Sequence, residues 1–193
     1  MKESCIPDEL VKASTRVVRK LAARGLTVIA AESCTAGLIA ATLSVVDGAG
    51  KVLHGSFVTY TKQTKSKALG IPMKVLKRES SVAHRVASDM LRGALRRSPA
   101  DIALAVTGVL GPERDEDDNP VGLVYIGCQA RGRRPKIIRK RYGKHDPDRL
   151  RRCTVLDALR LLEGTASQRP RNRQPHRMLS KQGIHQEISL AKS

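Results

Sequence analysis

Aromatic residues are scarce in this chain of 193 residues: they make up 2% of it, and tryptophan is absent. The four that occur are scattered along the sequence, at Phe57, Tyr60, Tyr125 and Tyr142. Proteins that bind single-stranded nucleic acid by base stacking need aromatic platforms, so this class is disfavoured. The core must be built from Val, Ile, Leu and Ala, and a hydrophobic share of 40% is enough for one domain.

Paired cysteines and long apolar runs are missing as well. The four cysteines, at positions 5, 34, 128 and 153, form no Cys-x-x-Cys pair, which disfavours a zinc ribbon or a disulfide framework. Free thiols are typical of a reducing compartment. The first residues, Met1 to Ser4, lead into a charged segment instead of a signal peptide. No apolar run approaches the ~20 residues that cross a membrane. We therefore expect a cytoplasmic protein.

Acidic residues are outnumbered two to one, because 18 Asp and Glu stand against 36 Lys and Arg, for a net charge of +18. Much of the excess lies in the C-terminal third, where residues 131–152 carry eleven basic residues and residues 165–193 carry six. This balance favours anionic ligands. The alternative is a solvated surface with nonspecific affinity for polyanions.

The hydrophobic pattern predicts helices that alternate with buried strands. Helices are expected at residues 8–23, 35–45, 64–69, 82–97 and 148–162, and strands at 26–31, 52–60, 101–107, 121–130 and 136–142. A further helical turn is expected after Pro72. This order indicates an α/β sandwich with an antiparallel pair of strands near its end. The pattern fails after Gly164, so residues 1–164 are predicted to form one domain and 165–193 a disordered basic tail.

The most informative segment is Thr27 to Gly37, where an apolar strand runs into a polar corner and then a small-residue helix. Backbone N–H groups point outward at such a corner, and the helix dipole favours negative charge. The corner is suited to a nucleophile or to a bound anion. Ser33 needs a base to take its proton, and none of the five histidines is placed to argue for that role. Cys34 is an alternative nucleophile, since a helix N-terminus lowers a thiol pKa.

Tyr60 ends a predicted strand, and Lys65 begins a predicted helix five residues later. Both side chains are candidates to line the mouth of the same active site, because a desolvated lysine can serve as a general base. The alternative places Tyr60 at the edge of the core and Lys65 in solvent. The spacing alone leaves both interpretations open.

The segment Thr107-Gly108-Val109-Leu110-Gly111-Pro112 follows the third predicted strand. Ligands of open α/β sheets bind beyond the carboxyl ends of strands, and glycine permits a close approach of the backbone. The alternative is a simple turn. The acidic residues that follow, at 113 and 115–118, are predicted to form a solvated loop without a metal ion.

In this order, the segments resemble the C-terminal domain of the competence/damage-inducible protein A (CinA) family, whose members include nicotinamide-nucleotide amidases. The resemblance covers residues 10–162. It is carried by residues 31–37, Tyr60 with Lys65, Leu69-Gly70, residues 107–112 and residues 120–122.

The resemblance implies a three-layer α/β/α sandwich with a mixed, mostly parallel sheet. It implies hydrolysis of the carboxamide of nicotinamide mononucleotide to nicotinate mononucleotide and ammonia, with no metal or organic cofactor. Ser33 would be the nucleophile, Lys65 the general base, and Tyr60 a hydrogen-bonded residue that relays or orients the proton. Backbone N–H groups from Cys34 to Ala36 would bind the oxyanion.

The resemblance implies substrate-binding residues on the matched motifs and at Arg151, a candidate match to a family arginine, and Arg or Lys groups of the basic C-terminal third are expected to hold the phosphate. The full set is Cys34, Thr35, Ala36, Gly37, Thr107, Gly108 and Arg151. The chain departs from the family pattern at Ala36, where glycine is common, and at residues 113–118, which replace a glycine-rich loop. A catalytically silent, basic binding or regulatory module of the same fold is therefore the alternative function.

The expected partners follow from the same resemblance and from the charge. They are a pyridine mononucleotide as substrate, a second copy of the chain in a homodimer, and polyanions bound nonspecifically by the basic tail. No membrane partner is expected. The larger N-terminal domain of fused family members has no counterpart, so a stand-alone form is expected.

Overall fold

The computed structural model describes residues 6–167, so the predicted basic tail lies outside the described residues from position 168 onward. The helices are α1 (Asp8–Ala23), α2 (Leu38–Ser44), α3 (Lys62–Leu69), α4 (Met73–Glu79), α5 (His84–Arg96) and α6 (Pro147–Ala166). The strands are β1 (Val28–Glu32), β2 (Leu53–Val58), β3 (Ile102–Gly108), β4 (Leu123–Ala130) and β5 (Lys136–Arg141). A short 3₁₀ helix, Ala49–Lys51, precedes β2.

The strands form one five-stranded sheet in the order β2-β1-β3-β4-β5. β1 pairs in parallel with both β2 and β3, whereas β4 is antiparallel to β3 and to β5. Four strands therefore run in one direction and only β4 opposes them. The predicted sheet, mixed and mostly parallel with an antiparallel pair near the end, is confirmed.

Two layers of helices cover the sheet because its central strands are apolar on both faces. On one face, Leu104 and Val106 of β3 belong to a core cluster with buried residues of α1, α2 and α6. On the other face, Ala103 and Ala105 belong to a second cluster with residues of α3, α4 and α5. This alternation along a single strand creates the three-layer sandwich.

Two element boundaries differ from the prediction by more than two residues. Helix α2 begins at Leu38 instead of residue 35, because Ala36 and Gly37 have positive φ angles of 52° and 96° and cannot continue a helix. Helix α6 continues to Ala166, and Thr165 and Ala166 are buried. The expected domain boundary at residue 164 therefore falls inside the last helix.

The carboxyl ends of β1, β2 and β3 meet at one edge of the sheet because these strands are parallel. The ladder continues past the strand ends, where the N–H of Thr59 donates to the carbonyl of Glu32 at 2.7 Å. The N–H of Ser33 donates to the carbonyl of Val106 at 3.0 Å. Ser33 is thereby held between the ends of β2 and β3.

Two helical glycines offer a matched test of the packing of α5. A Cβ at Gly93 would lie 2.8 Å from the Cβ of Leu69, whereas a Cβ at Gly164 in α6 would meet no atom within 4 Å. We expect Gly93→Ala to lower the free energy of unfolding by about 1–3 kcal/mol through overpacking. Gly164→Ala should raise it by up to about 1 kcal/mol through helix propensity. Urea denaturation measures both changes; equal effects of the two variants would contradict the close contact between α5 and α3.

Candidate active site

A serine and a lysine from different parts of the chain meet at the carboxyl edge of the sheet. The Nζ of Lys65 lies 2.8 Å from the Oγ of Ser33. Lys65 also donates to the main-chain carbonyls of Thr59 at 3.0 Å and Tyr60 at 3.3 Å. The lysine side chain is completely buried, and Ser33 is 6% exposed. The site therefore contains a buried cation or amine in direct contact with a hydroxyl.

Local sequence explains why Lys65 reaches Ser33. Thr61 caps α3, since its Oγ1 accepts from the N–H of Thr64 while the Oγ1 of Thr64 accepts from the N–H of Thr61. This capping box starts the helix directly after the end of β2. Helical side chains lean toward the helix N-terminus, so Lys65 points back toward the sheet edge.

The oxygen atoms around Lys65 suit a neutral amine as well as an ammonium ion. A neutral amine has two N–H donors and one lone pair. With the donors directed at the carbonyls of Thr59 and Tyr60, the lone pair faces the third neighbour, the Ser33 hydroxyl. The main-chain carbonyls thus orient the lysine to accept the serine proton, which is the geometry that a general base requires.

Burial lowers the pKa of Lys65 to about 8, from an ordinary value of 10.5. Loss of hydration, which disfavours the charged form, is the largest cause. The nearby positive charge of Lys62 lowers the pKa further, whereas the carboxylate of Glu116 opposes the shift. A lysine with a pKa near 8 holds a useful fraction of neutral amine at neutral pH.

The thiol of Cys34 lacks the low pKa expected of a nucleophile. Burial raises its pKa to about 12, so the thiolate is almost absent at neutral pH. A helix N-terminus was expected to lower the pKa of Cys34, but α2 starts four residues later, at Leu38. Cys34 lines the cavity beside Ser33 as a neutral thiol.

Glu32 is the functional residue that sequence reasoning missed. Its carboxylate is completely buried and accepts hydrogen bonds from three backbone N–H groups and two hydroxyls. The donors are the N–H groups of Gly37, Ile39 and Ala40 at 3.0 Å, the Oγ1 of Thr35 at 2.8 Å and the Oγ of Ser56 at 3.0 Å. A buried charge is tolerated only when it is satisfied in this way. Glu32 thereby holds the turn that carries Ser33.

The expected role of the α2 N-terminus in binding an oxyanion is corrected by these contacts. The N–H groups of Gly37, Ile39 and Ala40 are directed at Glu32, and the N–H of Ala36 donates to the carbonyl of Ser33 at 3.0 Å. Within residues 6–167, the amides of Cys34 and Thr35 have no hydrogen-bonded oxygen acceptor. Of the amides predicted for the oxyanion, these two are available.

A cavity of about 410 Å³ opens in front of the Ser33–Lys65 pair. Among the predicted site residues, Ser33, Lys65, Tyr60, Cys34, Gly108 and Arg151 line it. Thr35, Ala36, Gly37 and Thr107 do not belong to its lining. The first three form the turn around Glu32, and the Oγ1 of Thr107 donates to the carbonyl of Ser81 at 2.7 Å. These four residues lie behind the cavity wall and support the residues that line it.

Tyr60 contacts Lys65 through its main-chain carbonyl and not through its phenol. Its side chain is 68% exposed, and within residues 6–167 its hydroxyl makes no hydrogen bond to Ser33 or Lys65. The expected proton relay through the phenol therefore has no support in this geometry. The ring lines the cavity, where a substrate would touch it.

Gly108 is required by a close approach of two strands. A Cβ at this position would lie 2.7 Å from the carbonyl oxygen of Leu123 in β4. The glycine lets the chain after β3 enter the cavity wall without separating β3 from β4. Arg151 reaches the wall from α6, where it pairs with Asp148 at 2.8 Å. Such an exposed ion pair is weak enough to be exchanged for an anionic ligand.

The acidic loop is solvated, as predicted, since the side chains of Glu116 and Asp118 are 70% and 85% exposed, and it also lines the cavity, which the sequence did not predict. Glu113, Asp115 and Glu116 belong to the cavity lining. Asp115 accepts from the N–H groups of Asp117 at 3.1 Å and Asn119 at 2.8 Å. These contacts within the loop give it the fixed geometry that the run of charges did not predict.

In the part of the chain that the structure describes, no three or more His, Cys, Asp or Glu side chains cluster so as to hold a metal ion. None of the helices at residues 6–167 combines the length and the apolar character needed to span a membrane.

The fold and the site define an α/β/α sandwich protein with a buried serine–lysine pair. Residues 10–166 match the family described as the CinA C-terminal domain. The chain therefore belongs to this family, as its motifs predicted.

Relatives and solved structures agree with this assignment. Two proteins called CinA-like, from Dictyoglomus turgidum and Geobacter metallireducens, are each 38% identical over 76% and 75% of this chain. The match spans only 35% of the length of either relative. The crystal structure of competence/damage inducible protein CihA from Agrobacterium tumefaciens is 36% identical, with a TM-score of 0.81 over 86% of this chain and 100% of that one. A CinA superfamily protein from Escherichia coli is 31% identical, with a TM-score of 0.76 over 83% and 94% of the two chains.

The role of Glu32 can be tested through stability. Glu32→Gln keeps the size of the side chain but directs an amide group at backbone donors, so we expect unfolding to become easier by about 3 kcal/mol. Ser56→Ala removes a single donor to the same carboxylate and should cost only about 1 kcal/mol. Thermal unfolding of both variants gives the comparison. A Glu32→Gln protein as stable as Ser56→Ala would show that the carboxylate charge is not needed.

Proposed function

We propose that this chain is an amidohydrolase that converts nicotinamide mononucleotide to nicotinate mononucleotide and ammonia. The observation that carries the proposal is the 2.8 Å contact between the Ser33 Oγ and the buried Lys65 Nζ, at the wall of a cavity. A serine beside a lysine of lowered pKa is an activated nucleophile. Membership of the CinA family supports the substrate, since amidases of nicotinamide nucleotides occur in that family.

The first half of the reaction forms an acyl-enzyme. The Oγ of Ser33 attacks the carboxamide carbon while its proton passes to the neutral Lys65 amine. The amides of Cys34 and Thr35 are the candidate donors to the negatively charged oxygen of the tetrahedral intermediate. The C–N bond then breaks, Lys65 returns the proton to the leaving nitrogen, and ammonia departs.

Water completes the cycle in the second half. Lys65 takes a proton from a water molecule, whose oxygen attacks the ester carbon. The C–O bond to Ser33 breaks, the serine oxygen regains a proton from Lys65, and the carboxylate product is released. The same lysine therefore acts first as a base and then as an acid in each half.

The cavity supports a mononucleotide as the substrate. Its volume of about 410 Å³ lies in the range of small-molecule sites. Arg151 at its wall is the candidate for the phosphate, because a guanidinium group matches phosphate oxygens in pairs. Tyr60, exposed at the wall, is suited to contact the pyridine ring. In this proposal its role is to bind substrate rather than to move the proton.

The direct test is ammonia release from nicotinamide mononucleotide by the purified chain. We expect Ser33→Ala to lower kcat/KM by roughly 10⁴-fold or more, and Lys65→Met by roughly 10²–10⁴-fold. Cys34→Ala should retain activity, because its thiol is not ionised. Loss of activity with Cys34→Ala alone would move the nucleophile to the cysteine. The absence of ammonia with the unaltered chain would favour the catalytically silent module, for which the acidic loop at the cavity wall is the supporting observation.

The pH dependence gives a second test. Only the neutral amine of Lys65 accepts the serine proton, and its pKa is about 8. We expect kcat/KM to rise about tenfold per pH unit below pH 8 and to level off above it. A rate profile of the amidase reaction between pH 6 and 10 measures this limb. An apparent pKa near 10.5, the ordinary lysine value, would contradict a general base whose pKa is lowered by burial.

A further inference from the structure

An ion cluster made of Lys62, Glu116 and Asp117 lies beside the active-site lysine. The Nζ of Lys62 contacts the Oδ1 of Asp117 at 2.7 Å and the Oε1 of Glu116 at 3.0 Å. Lys62 is the first residue of α3 and Lys65 follows one turn later, so the two share one face of the helix. The charge on the cluster therefore acts on the helix that carries the base.

Asp117 also fastens the acidic loop to the far side of the cavity. Its Oδ2 accepts from the N–H of Ser81 at 3.3 Å. Asn119 of the same loop donates to the Oγ of Ser80 at 2.7 Å. The loop is thus attached both to α3 and to the segment before α5. The side chains of Lys62 and Asp117 are only 16% and 21% exposed, so their ion pair is partly shielded from solvent.

Resting on the proposed function, we propose that Lys62, Glu116 and Asp117 are positioning residues that control the electrostatics of the general base Lys65. The cation of Lys62 disfavours a second positive charge on the next turn of α3. The two carboxylates offset part of the positive charge of Lys62 and hold its side chain against the acidic loop. Burial remains the main influence on Lys65, and the balance of these three charges adjusts how readily it gives up its proton.

The other charged or titratable groups around Lys65 come from several elements. Cys34 faces it from the turn after β1, but this thiol is neutral because burial raises its pKa to about 12. Arg151 of α6 and the loop residues Glu113 and Asp115 line the same cavity. Lys62 and Glu116 are the ionised neighbours with a direct effect on the pKa of Lys65, in opposite directions.

The experiment measures the titration midpoint of Lys65 by carbon NMR of labelled lysine in the full chain, with Lys65→Met to assign its signal. Lys62→Met removes the neighbouring cation and should raise the midpoint by roughly half a unit to one unit. Asp117→Asn acts only through Lys62, whose cation it leaves less compensated, and should lower the midpoint by a smaller amount. Lys67→Met, an exposed lysine on the same helix, is the matched control and should leave the midpoint unchanged.

The same variants should move the acid limb of the pH profile of kcat/KM in the same two directions. Opposite shifts for Lys62→Met and Asp117→Asn support the proposal. Reduced activity or stability with no change in the Lys65 midpoint would overturn it and leave the cluster a purely structural brace. Since the NMR titration needs no substrate, it decides the matter even if nicotinamide mononucleotide is not hydrolysed, an outcome that would count only against the proposed function.

Discussion

A lysine side chain without access to water is the constraint around which this molecule is arranged. Such a group is tolerated only if oxygen atoms surround its nitrogen. The ends of β1 and β2 supply them, as the hydroxyl of Ser33 and the carbonyls of Thr59 and Tyr60. The parallel pairing of these strands and the cap of α3 by Thr61 bring these atoms together.

Glu32 and Lys65 are both buried at the carboxyl edge of the sheet, and they have different roles there. Glu32 is satisfied by the amides and hydroxyls of the turn before α2, which fixes the backbone on either side of Ser33. Lys65 has only neutral oxygen partners, and burial lowers its pKa to about 8. One ionised side chain thus gives the site its rigidity, while the other gives it a group that exchanges protons near neutral pH.

The sequence predicted the architecture well because the central strands are continuous apolar runs and the helices have clear periodicity. Ser33 and Lys65 were found through motifs in a fixed order, since their spacing alone left Lys65 open to a solvated interpretation. The start of α2 was misplaced because a positive φ at Ala36 has no signature in composition. Thr107 was expected in the site because it nearly ends β3, but its hydroxyl bonds to the carbonyl of Ser81 and does not line the cavity. Glu32 was overlooked because a carboxylate satisfied by backbone amides depends on the fold of the following turn.

The acidic wall of the cavity belongs to a different part of the chain from Ser33 and Lys65. Ser33 and Lys65 are carried by β1, the turn after it and α3, whereas Glu113 to Asp117 lie in the connection between β3 and β4. Connections between antiparallel strands tolerate exchange better than the strands themselves. Changes in this one surface loop can therefore alter both what the cavity accepts and the charge next to Lys65, while Ser33 and Lys65 keep their positions. A single exposed connection thus offers a route to variation in the site that leaves the sheet and its helices unchanged.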